Sequence, residues 1–271
     1  MSTVKKRICI VLAAVLFITL LVLEIFQKNI FTSTTYGQNL YVLSSRALGG
    51  MACVLFMLAF STKSIIFPRL GIKTFLVFLP CMAIAINNFP FITFFSGRAT
   101  IDASPTVIAV YALSQLAVGF FEEMAFRGCI FTVVLQRCKK NRFGAFLAIV
   151  ISSVIFGIIH ALNIFTGANP GAVILQIGYS FLIGGMCSVV LLKTSNIWYC
   201  VILHAVYNFA GGVVPNCGSG VIWDTPTVIL TAVVAVIVAA YVIFLLFTIR
   251  PTAIQGVLND DTKEEQTNTE K

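Results

Sequence analysis

Gly119-Phe120-Phe121-Glu122-Glu123-Met124-Ala125-Phe126-Arg127-Gly128 sets three charges inside an otherwise apolar run from Ile108 to Leu135. A helix through lipid takes about 20 apolar residues, and a charge at its centre costs roughly 2.5–3.5 kcal/mol on insertion scales. Three unpaired charges would cost roughly 8–10 kcal/mol on that scale. Such residues persist where they neutralise one another or face a cavity in which they act. The stretch reads as a functional site held within a membrane.

The rest of the chain agrees with a membrane setting. Hydrophobic residues make up 59% of it and charged residues 10%, which excludes an ordinary soluble domain. At 271 residues there is room for about eight spans of roughly 20 residues with short loops. The expected fold class is all-α, a polytopic membrane protein of about eight transmembrane helices forming a single domain over 1–250. The expected spans are about Ile8–Phe26, Leu40–Phe60, Phe75–Phe95, Ile108–Leu135, Phe143–Leu162, Ala172–Leu192, Ile197–Val214 and Val228–Ile249. Asn87-Asn88 and Pro90 predict a kink or a polar packing contact in the third. The fourth is longer than one crossing needs, so Ser104-Pro105 is expected to open an interfacial stretch ahead of a late crossing that starts near Leu113. From 251 to 271 the residues turn polar, which predicts a disordered cytoplasmic tail.

The net charge of +8 does not point to nucleic acid, because the basic residues punctuate apolar runs instead of lining one amphipathic face. With the N-terminus inside, the cytoplasmic loops receive Lys5, Lys6, Arg7, Lys63, Arg69, Lys73, Arg137, Lys139, Lys140, Arg142, Lys193 and Arg250. The outer side receives only Lys28, Arg46 and Arg98. That partition satisfies the positive-inside rule and predicts both termini in the cytoplasm. The expected location is a membrane crossed many times, the plasma membrane if the source is prokaryotic. The eight cysteines include no CxxC pair and fall mostly in apolar runs, so they read as small packing residues.

On a helix, residues four apart share a face, while neighbours diverge by about 100°. Glu123 and Arg127 stand at i and i+4 with the acid first, the favoured order for an ion pair. Glu122 points elsewhere and is left free for chemistry. The chain has two histidines, both in expected spans. His160 follows Phe156 by one turn and has Asn163 nearby; His204 precedes Asn208 by one turn on the same face. A lone histidine in an apolar helix is often a packing residue. Two histidines with Asn companions, plus an unpaired carboxylate on a third helix, predict a shared polar site.

Two chemistries use such a set. A Glu beside a His can take a proton from water and return it to a leaving amine. A second His with an Asn can then donate hydrogen bonds to the oxyanion at the attacked carbonyl. Alternatively Glu122, His160 and His204 form a two-His, one-carboxylate set that could hold one divalent metal such as zinc, together with a water. No HExxH motif is present, and the metal question stays open at this point.

These residues resemble the CPBP family of intramembrane proteases, the type II CAAX prenyl endopeptidases and the bacteriocin-processing or bacteriocin-immunity (Abi) proteins. The family pattern is EExxxR, FxxxH and HxxxN or HxxxD on successive core helices. Here it reads Glu122 to Arg127, Phe156 to His160 and His204 to Asn208, within a core of about 105–214. The resemblance implies an endopeptidase in which Glu122 and His160 activate water while His204 and Asn208 stabilise the oxyanion. Glu123, Arg127, Phe156 and Asn163 would support them. It further implies a peptide or protein substrate, CAAX-like, lipidated or bacteriocin-type, and no nucleic acid. The alternatives are a non-catalytic immunity or partner-binding membrane protein and, more distantly, a transporter, which would usually carry broken helices or repeats.

Overall fold

Apolar runs of this length leave each backbone amide no partner except its own helix, and the chain is helical almost throughout. The structure is a computed structural model and describes residues 3–59, 63–68 and 71–258. In chain order the elements are α1 (Thr3–Ile30), α2 (Thr35–Ala59), the short α3 (Lys63–Ile66), α4 (Ile72–Asn87), α5 (Phe91–Phe95) and β1 (Ala99–Ile101). Then come α6 (Pro105–Glu123), a π-helical segment (Met124–Phe131) and α7 (Thr132–Arg137), wound as one continuous rod. They are followed by α8 (Arg142–Ile159), a 3₁₀ segment (His160–Thr166), α9 (Pro170–Thr194) and α10 (Ile197–Cys217). The described residues end with β2 (Gly218–Gly220), α11 (Thr225–Phe247) and α12 (Pro251–Leu258). Arg69 and the stretch 259–271 lie outside the described residues.

Helix starts are encoded by short polar side chains that accept the first free amides. Asn141 Oδ1 accepts from Gly144 N at 2.9 Å, Asn169 Oδ1 from Gly171 N at 2.9 Å, Asn196 Oδ1 from Trp198 N at 3.0 Å and Asp224 Oδ1 from Thr227 N at 2.9 Å. Each caps one of the four helices α8 to α11. Between α9 and α10 the turn is a bare Ser195-Asn196, with Ser195 in the left-handed region at φ 49°. So tight a turn forces the two helices to run antiparallel and side by side.

α10 forms the centre of the bundle, packed on α6, α4 and α9, while α2 covers the far side of α6. The main apolar core includes Met124, Phe131, Leu135, Leu191, Leu192, Ile197 and Leu203, all essentially inaccessible. Among the described residues five helices are long and apolar enough to cross a membrane: Thr35–Ala59, Arg142–Phe165, Pro170–Thr194, Ile197–Cys217 and Thr225–Phe247. The last keeps only 11% of its most apolar stretch buried, an outward apolar face that suits lipid and would be a liability in water.

The expected runs all appear as helices, with three changes at their ends. The third run, Phe75–Phe95, breaks at Asn88-Phe89-Pro90 because Pro90 supplies no amide to continue the ladder. Its two asparagines make the polar contacts there: Asn87 Nδ2 donates to Thr231 Oγ1 at 3.1 Å, and Asn88 Nδ2 to the Tyr207 carbonyl at 2.8 Å. The fourth is helical from Pro105, where an interfacial stretch is expected to open, through Leu113 without a break, and it buries Tyr111, Ser114 and Ala117 between its neighbours. The first residues of the stretch expected to be a disordered tail, 251–258, are ordered instead. Pro251–Leu258 is helical, with Ile254 and Val257 fully buried, since two apolar side chains three apart make one face for docking.

The bundle has two unlike ends. At one, Lys193 Nζ donates to the Thr248 carbonyl at 2.8 Å, and Ser64 Oγ donates to the Gly256 carbonyl at 3.0 Å, tying α9, α11, α12 and α3 together. At the other, β1 and β2 pair antiparallel with Thr100 opposite Ser219, and Arg98 Nη2 meets Asp224 Oδ2 at 2.5 Å. Hydrogen bonds from Thr227, with help from the Arg98 guanidinium, lower the Asp224 carboxyl from its ordinary 3.8 to about 2. A depressed carboxyl stabilises the fold above its unfolded value and loses that contribution as pH falls through the folded value. Asp224→Asn keeps the cap acceptor and removes the charge. Its thermal stability in detergent should fall slightly below wild type at neutral pH, and the difference should vanish between about pH 4 and pH 2.

Candidate active site

The paired acids occupy the last turn of α6, where the α-helix passes into the π-helical segment. Their environments differ. The Glu123 side chain is fully buried, whereas Glu122 keeps 21% of its side chain accessible. Glu123 Oε1 accepts from Arg127 Nη1 at 2.9 Å, as the i, i+4 spacing requires. The same oxygen also accepts from His204 Nδ1 at 2.7 Å, a contact the spacing does not reveal. Glu123 is therefore more than the partner of Arg127: it fixes the imidazole of a helix 81 residues away in sequence.

Pinning Nδ1 turns His204 Nε2 outward, and Glu122 Oε2 lies 3.5 Å from it. His204 is buried on α10 with a side-chain accessibility of 6%. His160 sits where α8 tightens into the 3₁₀ segment, and its Nδ1 lies 2.8 Å from the Phe156 carbonyl. A carbonyl only accepts, so Nδ1 carries the hydrogen and Nε2 is left with the lone pair a base needs.

Phe156 holds these pieces together. Arg127 Cζ stands 4.3 Å above its ring, and the rings of Phe126, His160 and His204 contact it edge-on at 4.7, 5.0 and 5.8 Å. The guanidinium thus has a carboxylate on one side and an aromatic face on the other, a setting in which a cation–π contact gains strength from desolvation. Asn208 lies one turn after His204 and faces the same cavity. Asn163 is displaced from that role: its Nδ2 donates to Gln176 Oε1 at 2.8 Å and holds the 3₁₀ segment onto α9, while Gln176 is the one that lines the cavity.

Glu122, Phe156, His160, His204 and Asn208 share one cavity of about 1060 Å³. Reading by motif alone misses other polar members of its wall, among them Tyr111, Gln115, Asn88, Tyr179 and Asn216. Tyr111 and Gln115 share the α6 face of Glu122 at helical spacing, a signal present in the sequence once the reactive acid is chosen. The zinc expectation fits this arrangement poorly. Among the described residues the group whose ligand atoms all come within 4.8 Å of one another is Glu123, Cys187 and Cys200, not Glu122, His160 and His204. In that group Glu123 Oε1 already accepts from two donors, and Cys200 Sγ donates to the Cys187 carbonyl at 3.2 Å, so these side chains are engaged in packing the core.

Removing one partner of a buried ion pair leaves an uncompensated charge and costs roughly 3–5 kcal/mol. Arg127→Ala should therefore lower the yield and melting temperature of detergent-purified protein. Arg127→Lys should rescue part of that loss, since an ammonium restores charge but not the planar stack on Phe156. Normal yield and melting for Arg127→Ala would contradict the role of this pair.

Residues 104–210 match the family model described as Type II CAAX prenyl endopeptidase Rce1-like. No curated protein matches, and no solved structure matches. The matched span contains the acid pair, Arg127, Phe156, both histidines and Asn208, so over residues 104–210 this chain is similar to the Rce1-like type II CAAX prenyl endopeptidases.

Proposed function

We propose that the protein is an intramembrane endopeptidase that hydrolyses a peptide bond with water activated by Glu122 and His160, on a CAAX-like, lipidated or bacteriocin-type peptide. The observation that carries this reading is the position of His204 between two carboxylates, with Nδ1 on Glu123 and Nε2 facing Glu122, in a cavity that also holds His160 and Asn208. The proposed topology is the eight-span one with both ends of this chain in the cytoplasm, in the plasma membrane if the source is prokaryotic.

Each group has a defined task in this scheme. Glu122 is the more accessible acid and, with the Nε2 lone pair of His160, takes a proton from the attacking water. The hydroxide adds to the scissile carbonyl and the carbonyl oxygen becomes an oxyanion. His204, protonated on Nε2, and the Asn208 amide donate to that oxygen. The proton held by Glu122 and His160 then passes to the leaving amine as the C–N bond breaks. Glu123 and Arg127 act through His204 by fixing its ring, so they are positioning residues. The chemistry runs through carboxylate, imidazole and amide groups alone.

Glu122→Gln should reduce hydrolysis by at least about 10²-fold while leaving folded yield unchanged, and metal chelators should leave wild-type turnover intact. The substrate is found by comparing peptides and lipidated proteins from cells carrying wild type with those carrying Glu122→Ala. Identical profiles, or chelator-sensitive turnover, would overturn the scheme. On a substrate found in this way, Asn208→Ala should lower kcat by about 10²–10³-fold with little change in KM. A change confined to KM would remove Asn208 from the oxyanion role.

A further inference from the structure

The cavity has a direction. From Glu122 it climbs α6 through Val118, Gln115 and Tyr111, and from His204 it climbs α10 through Asn208, Gly212 and Asn216. Both paths lead toward the end of the bundle that bears the β1–β2 pair, where Trp223 completes the rim. At about 1.5 Å per residue, the α10 path from His204 to Asn216 covers about 18 Å. Below Glu122 and His204 the way is closed by Met124, Phe131, Leu135, Leu191 and Leu203, all buried.

The closed end is the basic one. Arg142 at the start of α8, Lys193 at the end of α9 and Arg250 after α11 converge on a separate cavity of about 600 Å³. Among the described residues neither Arg142 nor Arg250 has an ion-pair partner. The α7–α8 turn adds Arg137, Lys139 and Lys140, and α3, with Lys63, is tied to the same end through Ser64 and Gly256. The open end instead carries Arg98 beside Asp102 and Asp224, and Arg98 is neutralised by Asp224. Unpaired Lys and Arg at one end of a set of spans mark the cytoplasmic side.

Resting on the endopeptidase reading above, we infer that this active site is entered from the extracytoplasmic face, and that its substrate is an extended polypeptide segment presented there rather than the C-terminus of a cytosolic protein. The wall chemistry fits such a segment. Asn88, Gln115, Gln176, Asn208 and Asn216 line the passage; even where one atom is bonded within the protein, as Asn88 Nδ2 is to the Tyr207 carbonyl and Gln176 Oε1 to Asn163, a side-chain amide keeps further donor and acceptor capacity for a peptide group. Among the described residues Glu122 is the only acidic residue in the wall, which holds no lysine or arginine, so the passage makes no demand for a charged substrate along its length.

Accessibility in intact cells tests this independently of catalysis. Full-length variants Ser219→Cys and Asn216→Cys at the open end, Gln115→Cys inside the passage, and Lys139→Cys at the basic end are exposed to a small membrane-impermeant thiol reagent, with the unsubstituted chain as background. Labelling of Ser219→Cys, Asn216→Cys and Gln115→Cys in intact cells, with Lys139→Cys labelled only after permeabilisation, is the expected result. The reverse pattern, or labelling of Gln115→Cys only after permeabilisation, would overturn the inference. The same set is repeated on a Glu122→Gln background, where the pattern should not change. Expected labelling without any hydrolysis would sink the endopeptidase reading and leave the direction of the cavity standing.

Discussion

A single carboxylate oxygen, Glu123 Oε1, accepts from Arg127 Nη1 and His204 Nδ1 at the same time. Taking an ionised carboxylate out of water costs several kcal/mol even after relaxation, and only close opposite charge and good hydrogen bonds offset it. The same contact is therefore a folding constraint and a functional one. α6 and α10 must approach until the imidazole reaches the acid, and the π-helical segment must hold Arg127 on the acid's face. Because Arg127 is also stacked on Phe156, α8 is drawn into the same cluster and brings His160 with it.

Close approach of this kind needs backbone without side chains in the way. A Cβ on Gly119 would come within 2.8 Å of the Val201 carbonyl and 3.0 Å of Ala205 N, so this glycine lets α6 and α10 touch one turn from the acids. A Cβ on Gly184 would come within 2.8 Å of Arg127 Nη2 and 3.2 Å of the Phe156 ring. α9 thus leaves the space that the guanidinium and the aromatic ring fill. Between them the π-helical winding interrupts the regular ladder just past the acids, a local departure found often at functional sites. These features are small, but each sits within a turn of the cluster it serves.

What could be read from the sequence follows the range of the interaction. Glu123–Arg127 and Phe156–His160 are legible because four-residue spacing on a helix is a local fact, and the apolar runs are legible because lipid allows the backbone little else. The Glu123–His204 bond was not, since it joins residues 81 apart and spacing assigns Glu123 to Arg127 alone. A carboxylate has about four lone-pair sites, and one cation does not exhaust them. Stacking the expected spans side by side puts Glu122 well toward the cytoplasm and His160 near the outer end of its span, too far apart for one site, and that mismatch has a similar origin. It treats helices as vertical rods with fixed ends, whereas Phe156 and Arg127 show where α8 and the α6 rod meet, part-way along both. The break at Pro90 has a local cause, while Asn163 turned to Gln176 on α9, a neighbour that position in the chain does not specify.

Two adjacent glutamates in one helical turn come to occupy opposite electrostatic roles, and solvation is what divides them. Glu123 has no accessible surface and two donors, so its charge is held and its geometry is rigid. Glu122 retains a fifth of its side-chain surface and faces a cavity; its nearest charged partner is an imidazole at 3.5 Å rather than a guanidinium. A group that exchanges protons with water must be reachable by water and must not be locked to a permanent cation. A group that orients a neighbour needs the reverse, shielding from water and a fixed cation. The i, i+4 cation falls on the second acid of the pair, and this alone leaves the first one available for chemistry. Moving Arg127 by one residue would exchange the two roles and aim the reactive acid away from the cavity.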